Sequence, residues 1–252
     1  MAANQVLFSF FRYSRNHSFG AFVLMGFQSF VASRSVPMGA LRLMTCGSGN
    51  GFSIVPDLTR YCLMTVPSQP GDLVRLRTNR LYRWVAGPSI EQLHFLLRPV
   101  SGHGTWDGNA LFDYSNHRLG DRPFAVLTRA RVAAGRAMAF WRRVPEVSRS
   151  LGDIPGCIYH VGFGAHPLLR LATFSVWRDL ESMQEFAYRR SRHRAALEEA
   201  RADDWLPESM FVRFEIESIQ GNVERYPRLL ALAPEIGIGT NNTVLGGNRP
   251  VI

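Results

Sequence analysis

At 252 residues, with 46% hydrophobic and 12% aromatic content, the chain can bury a substantial core, which excludes a disordered polypeptide and bounds it to one large or two small domains. Its 29 basic side chains outnumber 20 acids, for a net charge of +9, and every one of them is an arginine. Arginine grips carboxylates and phosphates bidentately, so anionic lipid headgroups, an acidic redox partner or an acidic cofactor edge suit this surface; the arginines interleave with no nucleic-acid motif, which argues against nucleic acid.

In chain order, Val6 to Tyr13 alternates as a strand, and an apolar helix follows near residues 19–32. The run Phe19 to Val31, with Arg12 and Arg15 before it, resembles a secretory h-region but is too short to span a bilayer. Cleavage there would discard the preceding strand, so a helix packing on a sheet is the better reading. Strands are expected at Ala40 to Cys46 and Tyr61 to Val66, separated by the glycine-rich GSGNG, then a helix from Gly71 to Val85 and a strand from Glu91 to Pro99. Residues 101–122, rich in Gly, Asp, Asn and Ser, read as a linker in which His103 and His117 are solvated.

The second half repeats this order. PFAVLTRARV at 123–132 is a strand, AFWRRVPEVSRSL a helix, and CIYHVGFG and LLRLATFSVW are strands. A helix opening at the N-cap Asp179 leads to a final strand, MFVRFEI. Both halves therefore read βαββαβ. The fold expected is α+β, two tandem ferredoxin-like units at 1–100 and 123–218 forming a dimeric α+β barrel-like arrangement within one chain, with an irregular peripheral tail at 219–252.

On the helix after Asp179, Met183, Phe186, Ala187, Ala196, Leu197 and Ala200 share one arc, and His193 lies inside it. An inward histidine is either a core residue satisfied by a backbone carbonyl or an axial metal ligand, and spacing does not separate the two. His160 and His166 are the other candidates, although no acidic residue flanks them as a nonhaem metal set would require. Cys46, Cys62 and Cys157 are scattered, which indicates neither disulfides nor a thiolate zinc site and makes a reducing cytoplasm the default. GSGNG and GFG lack a following helix and make poor phosphate loops, and no hydrolase, kinase or dinucleotide motif stands in a usable context.

The blocks PFAVLTRARV, FWRRVPEVSRSL, TFSVWRDLESMQEFAYRRSRHRAAL and DDWLPESMFVRF, preceded by LFSFFRY, GSGNGFSIVPDLTRY and HFLLRP, resemble the spheroidene monooxygenase family of carotenoid biosynthesis over roughly residues 5–217. The resemblance implies a haem enzyme using dioxygen and reduced ferredoxin, which hydroxylates the C2 methylene of an acyclic carotenoid twice, the geminal diol losing water to a ketone. It implies His193 as the proximal iron ligand, with His160 and His166 as alternatives. It further implies Arg189 and Arg192 against the propionates, and Phe174, Trp177 and Phe186 around the cofactor. Arg129 or Arg131 would donate to bound oxygen if inward-facing, and otherwise serve in salt bridges. After GFG the chain reads AHPLLR where an acidic residue is expected near His166, and VPSQPGDLVRLRTNRLYRW departs from the family helix, which leaves the substrate open. The same fold would also suit an aldoxime dehydratase-like haem enzyme, a cofactor-free oxygenase or a noncatalytic haem or ligand binder. A carotenoid substrate further implies peripheral contact with the cytoplasmic membrane.

Overall fold

The structure, a computed structural model, describes residues 5–32, 38–49, 53–69, 72–142, 154–166, 169–189 and 206–239. Among the described residues there are nine strands, most of them rich in apolar and aromatic side chains: β1 (Val6–Arg12), β2 (Met38–Gly47), β3 (Pro56–Pro67), β4 (Glu91–Gly104), β5 (Phe124–Arg131), β6 (Cys157–His166), β7 (Arg170–Trp177), β8 (Glu208–Gly221) and β9 (Gly237–Gly239). They pair in the order β4-β1-β3-β2-β6-β7-β5-β8-β9, and β4 also pairs with β8. The first eight thus close into an antiparallel barrel, while the short β9 adds in parallel to β8. Each half contributes its strands as fourth, first, third and second.

Strand alternation divides the side chains between the interior and the outer faces. Phe8, Phe10, Phe95, Phe174 and Phe214 fill the barrel, with the Phe8 and Phe174 rings 5.1 Å apart and Phe95 and Phe174 4.9 Å apart. The outward residues Leu7, Phe11, Leu43, Tyr61 and Leu63 are covered by α1 (Arg15–Ala32), α2 (Asp72–Arg75) and α3 (Arg80–Ala86). The helix expected from Gly71 to Val85 is therefore two short helices. Asn79 divides them, because its extended backbone ends a 3-10 turn while its side chain accepts from the Tyr82 amide at 3.2 Å and starts α3.

Two segments carry more structure than composition suggests. β4 runs on to Gly104, inside the stretch read as linker, and Trp106 and Phe112 beyond it are buried in the barrel core. The segment after Ile219 is not irregular over its described part. β8 continues to Gly221, α5 (Pro227–Leu230) follows, and Leu229, Leu232 and Ile236 are buried against the core because their apolar side chains close one barrel end. Residues 240–252 lie outside the described residues.

Candidate functional site

The outer face of β5 to β8 carries several of the expected residues. Register places His160 beside Ser175, Ser175 beside Val126 and Val126 beside Arg213, so these four form one row across the face. The adjoining row holds Cys157, Trp177, Phe124 and Glu215. Asp179 caps the helix above this face as expected, accepting from the Ser182 amide at 2.7 Å, and α4 (Leu180–Arg189) lays Met183 and Phe186 onto Trp177 and Phe124. The Trp177 and Phe186 rings are 5.4 Å apart, and the Trp177 indole donates to Ser175 Oγ at 2.9 Å. The Cys157 thiol lies 3.9 Å from His160 Nδ1.

Phe174 does not join this group. It stands three residues from Trp177, and strand alternation turns it into the barrel core. Arg189 ends α4 and His166 ends β6, but their side chains, like Arg192 and His193, lie outside the described residues. The described part of this face offers residue types that a haem would use, an apolar floor of Phe124, Val126, Trp177, Met183 and Phe186, an imidazole at His160 and a guanidinium at Arg213, but the floor is already buried under α4. Among the described residues, no three His, Cys, Asp or Glu side chains gather as a multidentate metal site.

A second constellation, which sequence reasoning missed, lies at one barrel mouth. A pocket of about 230 Å³ is lined by Arg42, Trp106, Asp107, Arg129 and Arg170 together with apolar walls from Leu41, Leu43, Met44, Leu171 and Ala172. Arg129 does point inward, and it is 2% exposed and salt-bridged to Asp107 at 2.7 Å and Glu208 at 2.8 Å. Arg131 is half-exposed, 3.8 Å from Glu208. Glu208 also accepts from Thr105 Oγ1 at 2.9 Å and from the Gly108 amide at 2.8 Å. Burial would raise its pKa, but the Arg129, Gly108 and Thr105 hydrogen bonds prevail and hold it down at about 2. Asp107 and Gly108 both have positive φ, in a tight turn closed by the Trp106–Asn109 bridge, and the Asp-Gly pair is the residue choice such a turn favours. That dipeptide, within TWDGN, was the available signal, but nothing local shows which arginines the turn would meet.

Other polar candidates are satisfied or held inert. His94, buried on the outer face of the first half, bonds Ser9 Oγ at 2.9 Å and Gln92 Oε1 at 3.2 Å. His103 and His117 are exposed, the first stacked on Phe211 and the second 3.4 Å from Glu215. Burial pushes the Cys46 and Cys157 thiols up to about 12 and Cys62 well above its ordinary value, so all three stay protonated.

Comparison with known proteins adds what the geometry lacks. The chain is 31% identical over 185 residues to the spheroidene monooxygenase of Rhodobacter capsulatus, covering 72% of this chain and 76% of that one. It is 33% identical over 204 residues to the spheroidene monooxygenase of Rubrivivax gelatinosus, covering 79% and 78%. No family model matches. Among solved structures, an aldoxime dehydratase superposes with a TM-score of 0.53 at 12% identity, covering 85% of this chain and 81% of that one, a likeness of fold alone.

Proposed function

The chain belongs to the spheroidene monooxygenase family and is a monooxygenase; from that membership we propose that it oxygenates C2 of an acyclic, spheroidene-like carotenoid. The observation that carries this reading is identity of 31% and 33% to two proteins of that name over 72% and 79% of the chain. Each hydroxylation takes up dioxygen, two electrons from reduced ferredoxin and two protons, and releases one water. A second hydroxylation at the same carbon gives a geminal diol, which dehydrates to the ketone.

The proposed haem site is the outer face of the second half, with His193 as iron ligand, Arg189 and Arg192 toward the propionates, and Phe186 against the ring. Haem, when bound, supplies the activation of dioxygen. Trp177, Phe186, Met183 and Val126 keep water from that face, and the Trp177 indole bond to Ser175 fixes the orientation of the floor. Strand order in each half, fourth-first-third-second, supports reading the halves as tandem ferredoxin-like units.

The substrate class also implies a membrane encounter on the cytoplasmic side. No helix among the described residues is long and apolar enough to cross a membrane. Helix α1, however, presents Phe19, Phe22, Val23 and Phe27 to solvent at helical spacing, follows the exposed Arg12 and has no acid in its first turn. An apolar stripe beside arginine suits the interface of an anionic bilayer.

Expression with haem supply in a host that makes spheroidene, followed by pigment extraction and mass analysis, tests the reading. A C2 ketone is the expected product, and the purified protein is expected to show a Soret band that His193→Ala abolishes or shifts. Haem-loaded protein that yields no oxygenated carotenoid in the presence of reduced ferredoxin sinks the substrate assignment. A Soret band unchanged in His193→Ala moves the ligand to His160 or His166.

A further inference from the structure

We propose that the barrel-mouth pocket is a binding site for a small molecule bearing a carboxylate or phosphate on a short apolar stem, separate from the face assigned to haem. The charges of the pocket motivate it. Three guanidiniums converge on the single carboxylate of Asp107: Arg129 at 2.7 Å, Arg42 at 3.1 Å and Arg170 at 3.7 Å. Glu208 is already engaged by Arg129 and lies near Arg131. Four arginines thus share two carboxylates, although one carboxylate satisfies one guanidinium fork fully.

The surplus is concentrated on two of the three arginines that line the cavity, Arg170 and Arg42. Arg170 meets the same Asp107 oxygen as Arg129, at the longer distance, and its side chain is 51% exposed, so it can turn toward a ligand. The Nε of Arg42 is buried and has no hydrogen-bond acceptor among the described residues. Burial lowers the Arg42 pKa, and although Asp107 opposes this, the neighbouring charges of Arg129 and Arg170 lower it further. An incoming anion relieves that repulsion and supplies the acceptors the cluster lacks.

The rest of the pocket defines the stem. The Trp106 ring lies beneath two of the three guanidiniums, with Arg129 at 4.8 Å and Arg42 at 5.6 Å from its centroid, and holds them at the cavity edge. Leu41, Leu43, Met44, Leu171 and Ala172 offer no polar side chain to a ligand, so the part beyond the anion must be apolar. The volume of about 230 Å³ equals the liquid share of roughly seven or eight waters, which limits the stem to a few carbons.

Calorimetric titration of the full-length protein at low ionic strength with acetate, hexanoate and inorganic phosphate tests the assignment, with tryptophan emission as a second readout. Saturable binding of hexanoate, tighter than of acetate and weakened about tenfold by Arg42→Gln and by Arg170→Gln, is the expected result. Arg83→Gln, on the exposed side of α3, is expected to bind as wild type. Phosphate binding more tightly than hexanoate would retain the anion site and overturn the apolar stem. Absence of saturable binding for all three probes overturns the proposal, as does an affinity unchanged in Arg170→Gln. Arg170 is half-exposed, so that variant decides the matter even if Arg42→Gln folds poorly. Loss of carotenoid turnover would leave this binding untouched, so the two readings fail separately.

Discussion

Arg129 shows how a single inward-pointing side chain can be read in two ways. On a strand it could serve bound oxygen or a salt bridge, and the structure surrounds it with Asp107 and Glu208 while leaving it 2% exposed. Removing one partner of such a pair leaves the other charged and dry, so Arg129→Leu is expected to lower unfolding free energy by about 3–5 kcal/mol in chemical denaturation. Glu208 makes the same pair sensitive to pH. Its carboxyl is held at about 2, below the ordinary 4.5, so its stabilising contribution is complete above 4.5 and is lost as pH falls toward 2. Glu208→Gln is expected to be less stable than wild type at neutral pH and to lose that part of the acid slope. A slope between pH 4.5 and 2 identical to wild type would show that the carboxylate does not carry it. The sequence allowed both roles of Arg129 but could not choose between them, because its partners arrive from residues 22 positions before it and 79 after it.

Elements were legible wherever local chemistry decides them. Alternation revealed the strands of both halves, and Asp179 marked its helix, since capping acts within one turn. Asn79 was hidden inside an apparently continuous helical pattern, as the helix-starting bond it makes is also available to a surface asparagine. The tail escaped for the opposite reason. Leu229, Leu232 and Ile236 keep a helical spacing over a run too short, and too broken by Pro234, to read as an amphipathic helix, and they become core only because a barrel end lies beneath them. Glycines at the ends of β4 and β8 are equally contextual. Gly104 has φ +90 and a Cβ there would stand 1.9 Å from the Ser209 carbonyl oxygen; Gly221 has φ +104 and 2.2 Å to that of Gln92. Left-handed backbone alone costs a side chain about 1–3 kcal/mol, and the backbone clash adds to it, so Gly104→Ala and Gly221→Ala are each expected to lower Tm clearly. A Tm within one degree or so of wild type would show that the strand ends relax freely.

At the scale of the whole molecule, the barrel is closed by two unequal seams. β4 and β8 are registered through eleven residue pairs, whereas β2 and β6 are registered, among the described residues, only through Thr45 with Gly164 and Cys46 with Phe163. Opening should begin at the shorter seam. Hydrogen exchange by mass spectrometry is expected to show Thr45–Cys46 and Phe163–Gly164 exchanging well before the centre of β4 and β8. Equal protection of the two seams would mean that the barrel opens only as a unit. The family was visible in ordered blocks of sequence, but the mouth pocket was not, since its lining comes from β2, β5, β6, β7 and the turn after β4.

The longer seam reads alike from either end. β4 and β8 are each fourteen residues long, each begins with a glutamate, buried at Glu91 and half-buried at Glu208, and each ends in a glycine of positive φ, and Leu93 faces Gly221 as Met210 faces Gly104. Such reciprocity of register relates the two strands by a local two-fold axis. The segments after the two strands differ: one clasps Glu208 through Thr105 and Gly108, and the other clasps Glu91 through Tyr226 at 2.6 Å and Arg225 at 3.2 Å. Because both strands belong to one chain, the two ends need not match: one is stoppered with leucine and isoleucine, and the other is hollow and arginine-lined.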